Sequence, residues 1–304
     1  MLTIPNIKIP IQEIPLGKKN IRLFIKREDL IHQEISGNKY WKLFHNVNQY
    51  LSQNKENQLL ITFGGAYSNH ILALSAFGKM AGIPTLGIIR GDELVDKWQD
   101  NPTLKEAFQN GMQFRFVTRI EYRDKVKITS ELEEEFANAL VIPEGGTNAL
   151  AVEGVKNMLN TDTQIFDYLC TAVGTGGTIA GLSKFAEPHQ KVLGFKVADD
   201  KSLENNVLCF SKNKNFTLFE ASFGGYGKIS EENIRFINAF YEANQLPLDP
   251  IYTGKMMQVL LQKIDENYFP NGSKILAFHT GGLQGIKGAN EMLKKQNREL
   301  INFQ

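Results

Sequence analysis

Residues 166–181 read FDYLCTAVGTGGTIAG, in which an apolar segment leads directly into a glycine-rich loop and then into a candidate helix. Successive glycine N–H groups, the hydroxyls of Thr175 and Thr178 and the positive end of a helix dipole can together hold a phosphate dianion. The residues that would form this cradle are Gly174, Thr175, Gly176, Gly177 and Thr178. The stretch alone leaves two interpretations open, a phosphate site or a tight turn.

The same loop departs from the two common nucleotide motifs. It is not a P-loop, because Leu182 and Ser183 follow Gly181 where the motif requires Lys and then Ser or Thr. It does not match GxGxxG, since Ile179 occupies the position of the third glycine. A phosphate that does not belong to a nucleotide is the better hypothesis, with a nucleotide-binding protein as the alternative.

Outside this loop, short β-branched and aromatic runs recur at spacings that leave room for a helix between them. This pattern predicts an α/β fold with open, mostly parallel sheets flanked by helices. The predicted strands are 21–26, 58–63, 84–89, 112–117, 140–142, 166–172, 191–197 and 274–278. The clearest predicted helices are 230–244, which Ser230 can cap, and 254–267. Glycine pairs after several strands indicate a ligand at the carboxyl ends of the strands.

The composition is that of an ordinary globular protein. A length of 304 residues exceeds one typical domain of about 100 to 150, which leaves one large α/β unit or two domains open. The 42% apolar and 22% charged residues disfavour disorder. Because 34 Lys and Arg are balanced by 33 Asp and Glu, nothing in the net charge of +1 indicates a nucleic acid partner.

The cysteines and the amino terminus bear on the compartment. Cys170 and Cys209 cannot form a disulfide framework and lack the spacing of metal ligands, so we expect reducing surroundings and no metal. Three prolines within the first 15 residues interrupt the apolar core that a signal peptide needs. The longest uncharged stretch, 57–78, is too polar for a spanning helix. We therefore expect a cytoplasmic protein with no membrane partner.

The segment SGNKYWK at 36–42 places Lys39 at the opening of a helix that follows a glycine. The positive end of the helix dipole disfavours a cation there and lowers its pKa. An amine near neutrality is what Schiff-base chemistry requires. A solvated surface lysine is the alternative for Lys39, and it is the prediction for Lys42 one turn later.

Seven blocks of the sequence point together to one family. They are SGNKYWKL at 36–43, GGAYSNH at 64–70, IPEGGTNAL at 142–150, VGTGGTIAGL at 173–182, GYG at 225–227, LDPIYTGKMM at 248–257 and HTGG at 279–282. In this order they resemble the pyridoxal-phosphate enzymes of the 1-aminocyclopropane-1-carboxylate deaminase and D-cysteine desulfhydrase family. That family has the tryptophan synthase β-like fold, and the resemblance covers nearly the whole chain.

The resemblance implies a two-domain enzyme with pyridoxal 5'-phosphate as cofactor. The larger domain would comprise residues 1–45 and 150–304, and the smaller domain, 46–149, would close the cleft. Lys39 would form the Schiff base with the cofactor and later shuttle protons, and the loop 174–178 would hold the cofactor phosphate. A homodimer and a small amino-acid substrate are implied as well.

Further roles follow from the same resemblance. Asn69 would hydrogen-bond the 3-hydroxyl oxygen of the cofactor, and Ser68 would meet the substrate carboxylate or relay its α-proton. A plain N-cap is the alternative for Ser68, and we interpret His70 as a packing residue. Tyr226 and Tyr252 match two tyrosines that face the cofactor, where a phenol can modulate protonation of the amine or the leaving group. Ordinary aromatic packing is the alternative for both.

Thr253 distinguishes the branches of the family. In the cyclopropane-ring deaminases an acidic residue follows the tyrosine and pairs with the pyridine nitrogen, whereas Thr253 follows Tyr252 here, as in the desulfhydrase branch. A neutral hydroxyl leaves that nitrogen largely unprotonated, and a shallow electron sink is adequate when a good leaving group departs. The sequence therefore predicts α,β-elimination, and the resemblance implies D-cysteine as the substrate, which would be converted to pyruvate, hydrogen sulfide and ammonia.

Two other functions stay open beside this one. The first is deamination of 1-aminocyclopropane-1-carboxylate to 2-oxobutanoate and ammonia. The second is a paralogue that binds pyridoxal phosphate with little turnover. Lys228 motivates the second, because it follows the GYG block where the family has an apolar residue and then proline, which indicates a rebuilt substrate-side loop.

Overall fold

Two β-sheets with helices packed on their faces make up the fold, as the computed structural model shows for residues 1–17, 20–53 and 55–303. The strands are β1 (Ile11–Ile14), β2 (Arg22–Lys26), β3 (Leu59–Gly64), β4 (Thr85–Arg90), β5 (Met112–Val117), β6 (Ala139–Ile142), β7 (Tyr168–Val173), β8 (Lys191–Lys196), β9 (Phe216–Glu220) and β10 (Lys274–Phe278). The α-helices are α1 (Asn38–Leu51), α2 (Asn69–Ala81), α3 (Pro102–Gln109), α4 (Lys125–Glu135), α5 (Ala149–Val155), α6 (Gly177–Phe185), α7 (Leu203–Ser211), α8 (Glu231–Asn244), α9 (Thr253–Asp265) and α10 (Gly285–Lys295).

The sheets are almost entirely parallel. The larger sheet has the order β1-β2-β10-β7-β8-β9, and the smaller sheet has the order β5-β4-β3-β6. Among the described strands, only β1 and β2 pair in antiparallel fashion. This arrangement confirms the predicted α/β fold with mostly parallel sheets flanked by helices.

The eight predicted strands are present, with ends that differ by at most two residues from those predicted. The helix predicted at 230–244 is α8, and the N–H of Asn233 donates to the capping Ser230 Oγ at 3.1 Å. Two strands were missed. β1 lies between prolines at positions 10 and 15, which read as a break, and β9 is a short edge strand with only half-buried apolar residues.

Apolar side chains fill both faces of the larger sheet. Leu169 and Val173 of β7 pack into the cluster that contains α1, α5 and α6. Cys170 and Ala172 point to the other face and pack with α8 and α9. A strand buried on both faces needs no polar alternation, which explains why the run before the glycine loop is continuously apolar.

The chain passes twice between the two sheets. α1 leads from the larger sheet to the smaller, and its final turn is held there because the Tyr50 hydroxyl accepts from the Leu59 N–H at 3.0 Å and lies against the Asn138 carbonyl. The return passes through residues 143–148 into α5, which packs on α1. The predicted boundary near residue 46 falls inside the continuous helix α1. The sheets therefore alternate along the chain as expected, while the domain limits stay a prediction.

No helix in the described residues is long and apolar enough to cross a bilayer.

Candidate active site

The predicted phosphate loop connects β7 to α6 and lines a cavity of about 340 Å³. Gly176 is the N-cap of α6, and its φ of 86° is a left-handed conformation that glycine adopts without strain. A Cβ on Gly177 would lie 2.8 Å from Thr147 Oγ1 and 3.0 Å from Lys42 Nζ. The backbone therefore approaches these polar groups as closely as it can, and the N-terminus of α6 offers N–H groups to an anion.

Nearly all predicted site residues lie on the wall of this cavity. Those that line it are Lys39, Ser68, Asn69, Gly174, Thr175, Gly176, Gly177, Thr178, Tyr226 and Tyr252. Tyr226 lies in the loop between β9 and α8, and the others follow the carboxyl ends of β3 and β7 or begin helices nearby, which is where parallel sheets bind ligands. Thr253 is the exception among the predicted residues.

Lys39 lies in the first turn of α1 and is tied to the phosphate loop through its neighbour. Its Nζ donates to Asn38 Oδ1 at 2.9 Å, and Asn38 Nδ2 donates to Thr178 Oγ1 at 2.7 Å. Burial lowers the pKa of Lys39 to about 8, against a smaller opposing effect of the Asp249 carboxylate. The direction is the one expected from the sequence, and burial is its largest cause.

The prediction that Lys42 is a solvated surface residue is wrong. Its side chain is buried, and its Nζ donates to Thr147 Oγ1 at 2.9 Å. The Thr147 hydroxyl is in turn 2.6 Å from Thr175 Oγ1 in the phosphate loop. Burial lowers the pKa of Lys42 well below its ordinary value, and the charge of Lys39 adds to this effect. An anion in the loop would offset this cost and keep the amine charged.

The start of α2 brings three polar side chains to the cavity. Ser68 is the N-cap, and its Oγ accepts the N–H of Ile71 at 3.3 Å, so the capping interpretation describes this geometry. Asn69 Oδ1 accepts from Gln284 Nε2 at 3.4 Å. His70 is buried, and neither of its ring nitrogens has a hydrogen-bond partner among the described residues. Packing alone does not account for this imidazole, because two unpaired buried nitrogens are costly unless a ligand meets them.

Tyr226 and Tyr252 contact each other at the cavity. Their hydroxyl oxygens are 2.9 Å apart, so one donates to the other. Loss of hydration raises the pKa of both phenols, that of Tyr252 well above its ordinary value. A Cβ on Gly174 would lie 3.2 Å from Cε1 of Tyr252, which places that ring directly against the phosphate loop. The pair therefore presents two neutral hydroxyl groups, joined by one hydrogen bond, to the cavity.

Thr253 lies behind the wall of the cavity. It is fully buried, its hydroxyl donates to Asp249 Oδ2 at 2.6 Å, and its Oγ1 accepts the Asp249 N–H at 2.9 Å. The Asp249 carboxylate also accepts the N–H groups of Ile251, Tyr252 and Thr253. This closed turn fixes the start of α9 and the position of the Tyr252 side chain.

Sequence reasoning missed several charged residues that line the cavity, among them Arg90 and Glu144. Arg90 is the last residue of β4, and Glu144 follows β6. The carboxyl ends of parallel strands are where ligands bind, and this positional rule could have found both. The hydroxyl of Tyr122 donates to Glu144 Oε1 at 2.9 Å, and Lys125 Nζ lies 3.2 Å from Glu144 Oε2.

These features suit a ligand that combines a phosphate with an electrophilic carbon. The loop and the Lys42 amine suit the phosphate, and the partly neutral Lys39 amine suits the carbon. The unpaired nitrogens of buried His70 leave hydrogen-bonding capacity that a polar ligand can satisfy.

Comparison with known proteins agrees with this chemistry. The profile of the family described as pyridoxal-phosphate dependent enzymes matches residues 3–281. A bifunctional D-cysteine desulfhydrase/1-aminocyclopropane-1-carboxylate deaminase of Arabidopsis thaliana is 29% identical over 87% of this chain and 73% of the plant protein. A D-cysteine desulfhydrase of Klebsiella pneumoniae is 28% identical over 91% of this chain and 92% of that protein.

Solved structures give the same result for the fold. The crystal structure of a homologue of 1-aminocyclopropane-1-carboxylate deaminase superposes with a TM-score of 0.79 at 28% identity, over 96% of this chain and 94% of that one. An O-acetylserine dependent cystathionine β-synthase from Helicobacter pylori superposes with a TM-score of 0.68 at 14% identity, over 91% and 93% of the two chains, and shares the fold.

Proposed function

The chain belongs to the family of pyridoxal-phosphate dependent enzymes, and on this premise we propose that it catalyses α,β-elimination from a small amino acid, with D-cysteine as the leading substrate. The observation that carries the proposal is one cavity that joins the partly neutral Lys39 amine, the phosphate loop and the pair Tyr226 and Tyr252. The relatives named as D-cysteine desulfhydrases support elimination as the reaction class.

The residues of the cavity suit pyridoxal phosphate. The loop 174–178 and Lys42 would hold its phosphate, Lys39 would bond its aldehyde carbon, and Asn69 would hydrogen-bond the ring hydroxyl. When bound, pyridoxal phosphate supplies an electron sink for the negative charge that develops on the substrate α-carbon.

Proton transfer falls to groups of the protein. With a pKa lowered to about 8, roughly a tenth of the Lys39 amine is neutral at pH 7 and able to accept the α-proton at Nζ. The N–H groups at the start of α2, with Ser68, would orient the substrate carboxylate. A hydroxyl of the hydrogen-bonded pair Tyr226 and Tyr252 would donate a proton to the departing sulfur. Overall, D-cysteine and one water give pyruvate, hydrogen sulfide and ammonia.

Thr253 supports elimination over ring opening. The position after Tyr252 carries a hydroxyl where a carboxylate would stabilise a protonated pyridine nitrogen. That hydroxyl donates its proton to Asp249, so it has none left to donate to the nitrogen. Elimination of a good leaving group such as thiolate demands less of the electron sink than opening a ring that expels nothing.

The test combines product analysis with chemical labelling. The purified protein, loaded with pyridoxal phosphate, is expected to release pyruvate and sulfide from D-cysteine, and the absence of both products would overturn the proposal. Borohydride treatment followed by peptide mapping is expected to modify Lys39. Lys255 is the matched control, because burial also lowers its pKa to about 8 while its amine donates to the Ser222 carbonyl at 2.8 Å, away from the cavity lining. Label on Lys255 would contradict the assignment of Lys39.

Deamination of 1-aminocyclopropane-1-carboxylate is the second candidate, favoured by the second activity in the name of the plant relative and by the structural homologue. Assays of both substrates on the same preparation decide between them, since only deamination gives 2-oxobutanoate. A protein with little turnover would show a shift of the cofactor absorbance on adding amino acids while neither product accumulates. That result would point to the altered loop around Lys228 as the first place to look for the cause of the low turnover.

The organisation around this site is part of the proposal. Residues 46–149 would form the smaller domain that closes over a substrate held against 1–45 and 150–304, thereby excluding water from the reacting carbon. We propose a cytoplasmic homodimer. Light scattering of the purified protein measures its mass against the 34.3 kDa of one chain.

A further inference from the structure

One charged side chain of the cavity has no task in the proposed reaction. Arg90 lines the cavity from the end of β4 and is partly buried. Its guanidinium forms no hydrogen bond and no ion pair with any of the described residues, 1–17, 20–53 and 55–303. A guanidinium presents five N–H donors, so an unpaired one at a cavity wall retains nearly its whole capacity for an anion.

The surroundings of Arg90 hold it in place without using its donors. Its guanidinium carbon lies 5.7 Å from the centre of the Tyr122 ring, and Tyr122 is buried and anchored through its hydroxyl to Glu144. Stacking on a ring limits the motion of a guanidinium while its N–H groups stay available for a planar, bidentate partner.

Glu144, an acid of the cavity wall, does not pair with this charge. The two oxygens of Glu144 are engaged by the Tyr122 hydroxyl and by Lys125 Nζ. On the other side, a Cβ on Gly65 would lie 3.4 Å from Nη2 of Arg90, so the guanidinium is close to the loop that precedes Ser68. Arg90 therefore lies beside the proposed binding place of the substrate, with its charge free.

The anions of the proposed reaction already have partners. The cofactor phosphate would meet the loop 174–178 and Lys42, and the substrate α-carboxylate would meet Ser68 and the N-terminus of α2. Once these are assigned, Arg90 is the cation of the cavity wall that is left. A second negative group on the substrate would complete the set.

We propose that Arg90 is a specificity-determining residue that binds an anionic group at the end of the substrate side chain, so that the preferred substrates are amino acids whose β-substituent carries a carboxylate or a comparable acid. The inference rests on the proposed function for the presence of an amino acid in this cavity, and it names the class of that amino acid. D-Cysteine carries a thiol in place of this anionic group and would therefore leave Arg90 without a partner.

The test uses pairs of amino acids that differ only in the terminal charge. Aspartate with asparagine and glutamate with glutamine, each in both enantiomers, are titrated into the protein loaded with pyridoxal phosphate, and binding is read from the shift of the cofactor absorbance. The variants are Arg90→Met, which keeps apolar contact with Tyr122, and Arg90→Lys, which keeps the charge. Arg123→Ala is the matched control, because Arg123 is an exposed arginine that follows Tyr122 in the chain and does not line the cavity.

In the unaltered protein, at least one acid is expected to bind about 10- to 100-fold more tightly than its amide, the factor typical of a charge-assisted hydrogen bond. Arg90→Met is expected to abolish this difference by weakening the acid while the amide changes less than about twofold. Arg90→Lys is expected to retain part of it, and Arg123→Ala all of it.

Two outcomes would overturn the inference. Equal weakening of acid and amide in Arg90→Met would assign Arg90 to the α-carboxylate, which all four ligands share. No preference for either acid in the unaltered protein would remove the proposed substrate class. Neither readout depends on product, so a protein that binds these ligands but releases neither pyruvate nor sulfide from D-cysteine would refute the proposed elimination and leave the role of Arg90 standing.

Discussion

Burial lowers the pKa of both the Lys39 and the Lys42 amine. The two amines nevertheless have different hydrogen-bond partners. Lys39 donates to an amide oxygen at 2.9 Å, and Lys42 donates to the Thr147 hydroxyl at the same distance. In the part of the chain that the structure describes, neither amine has a carboxylate as hydrogen-bond partner, so each can exchange its present contact for a ligand. One helical turn separates an amine that would react from an amine that would bind an anion.

The reactivity of Lys39 is expected to follow its lowered pKa. In the protein freed of cofactor, an acylating reagent should modify Lys39 at a rate that falls about tenfold per pH unit below pH 8 and is level above it. The sign follows because only the neutral amine is nucleophilic, and protonation removes it as the pH decreases. Mass spectrometry of the modified peptide gives the rate at each pH.

The rate of modification of an ordinary lysine has its pH midpoint at about 10.4, the pKa of its amine. A midpoint of that kind for Lys39 would show that its amine is hydrated and would contradict the burial seen here. Pyridoxal phosphate is expected to protect Lys39 from the reagent at every pH.

At the scale of elements, the turn from β7 into α6 depends on the left-handed backbone of Gly176. Gly176→Ala is expected to lower the free energy of unfolding by about 1–2 kcal/mol, because an L-residue in that conformation is strained. It should also weaken the binding of pyridoxal phosphate, because the first N–H groups of α6 would shift. Denaturant unfolding and titration of the cofactor measure the two effects.

Gly111 provides the matched control for this prediction. Its φ is 93°, and a Cβ there would meet nothing within 4 Å. Gly111→Ala should therefore cost the backbone strain alone, without the contact that a Cβ on Gly176 would make with Leu203 at 3.0 Å, and leave the affinity for pyridoxal phosphate unchanged. Equal loss of affinity in both variants would show that the cradle responds to general destabilisation and has no special need for Gly176.

The parts of the site that were predicted from the sequence are those whose backbone requirements leave a mark in the residues. The turn after β7 needs glycine, and glycine is visible in a sequence. The burial of Lys42 and the position of Arg90 depend on what other elements cover, and no local pattern records that. β1 was missed for a related reason, since only its pairing with β2 distinguishes it from a proline-bounded loop.

At the scale of the whole molecule, both passages of the chain between the sheets line the cavity. α1 contributes Lys39 and Lys42 on the way out, and residues 143–148 contribute Glu144 and Gly145 on the way back. A ligand in the cavity therefore contacts the connections of both sheets.

Loading with pyridoxal phosphate is expected to slow amide hydrogen exchange in both sheets, including β3 and β6 of the smaller one as well as β7. The reason is that a ligand bound only to the native arrangement stabilises every element whose opening would disrupt it. Exchange followed by mass spectrometry of the peptides measures this. Protection confined to β7 and the loop after it would show that the smaller sheet opens independently of the site.

The position of the cavity between the two passages has a consequence for the span of chain that they enclose. Residues 38 and 144 bracket the whole smaller sheet, and a ligand that contacts both ends closes this span into a ring although only Lys39 would be bonded to it covalently. Such a closure removes open conformations from the ensemble much as a cross-link would, and its effect disappears when the ligand leaves. The cofactor would thus stabilise the folded state of the span between residues 38 and 144.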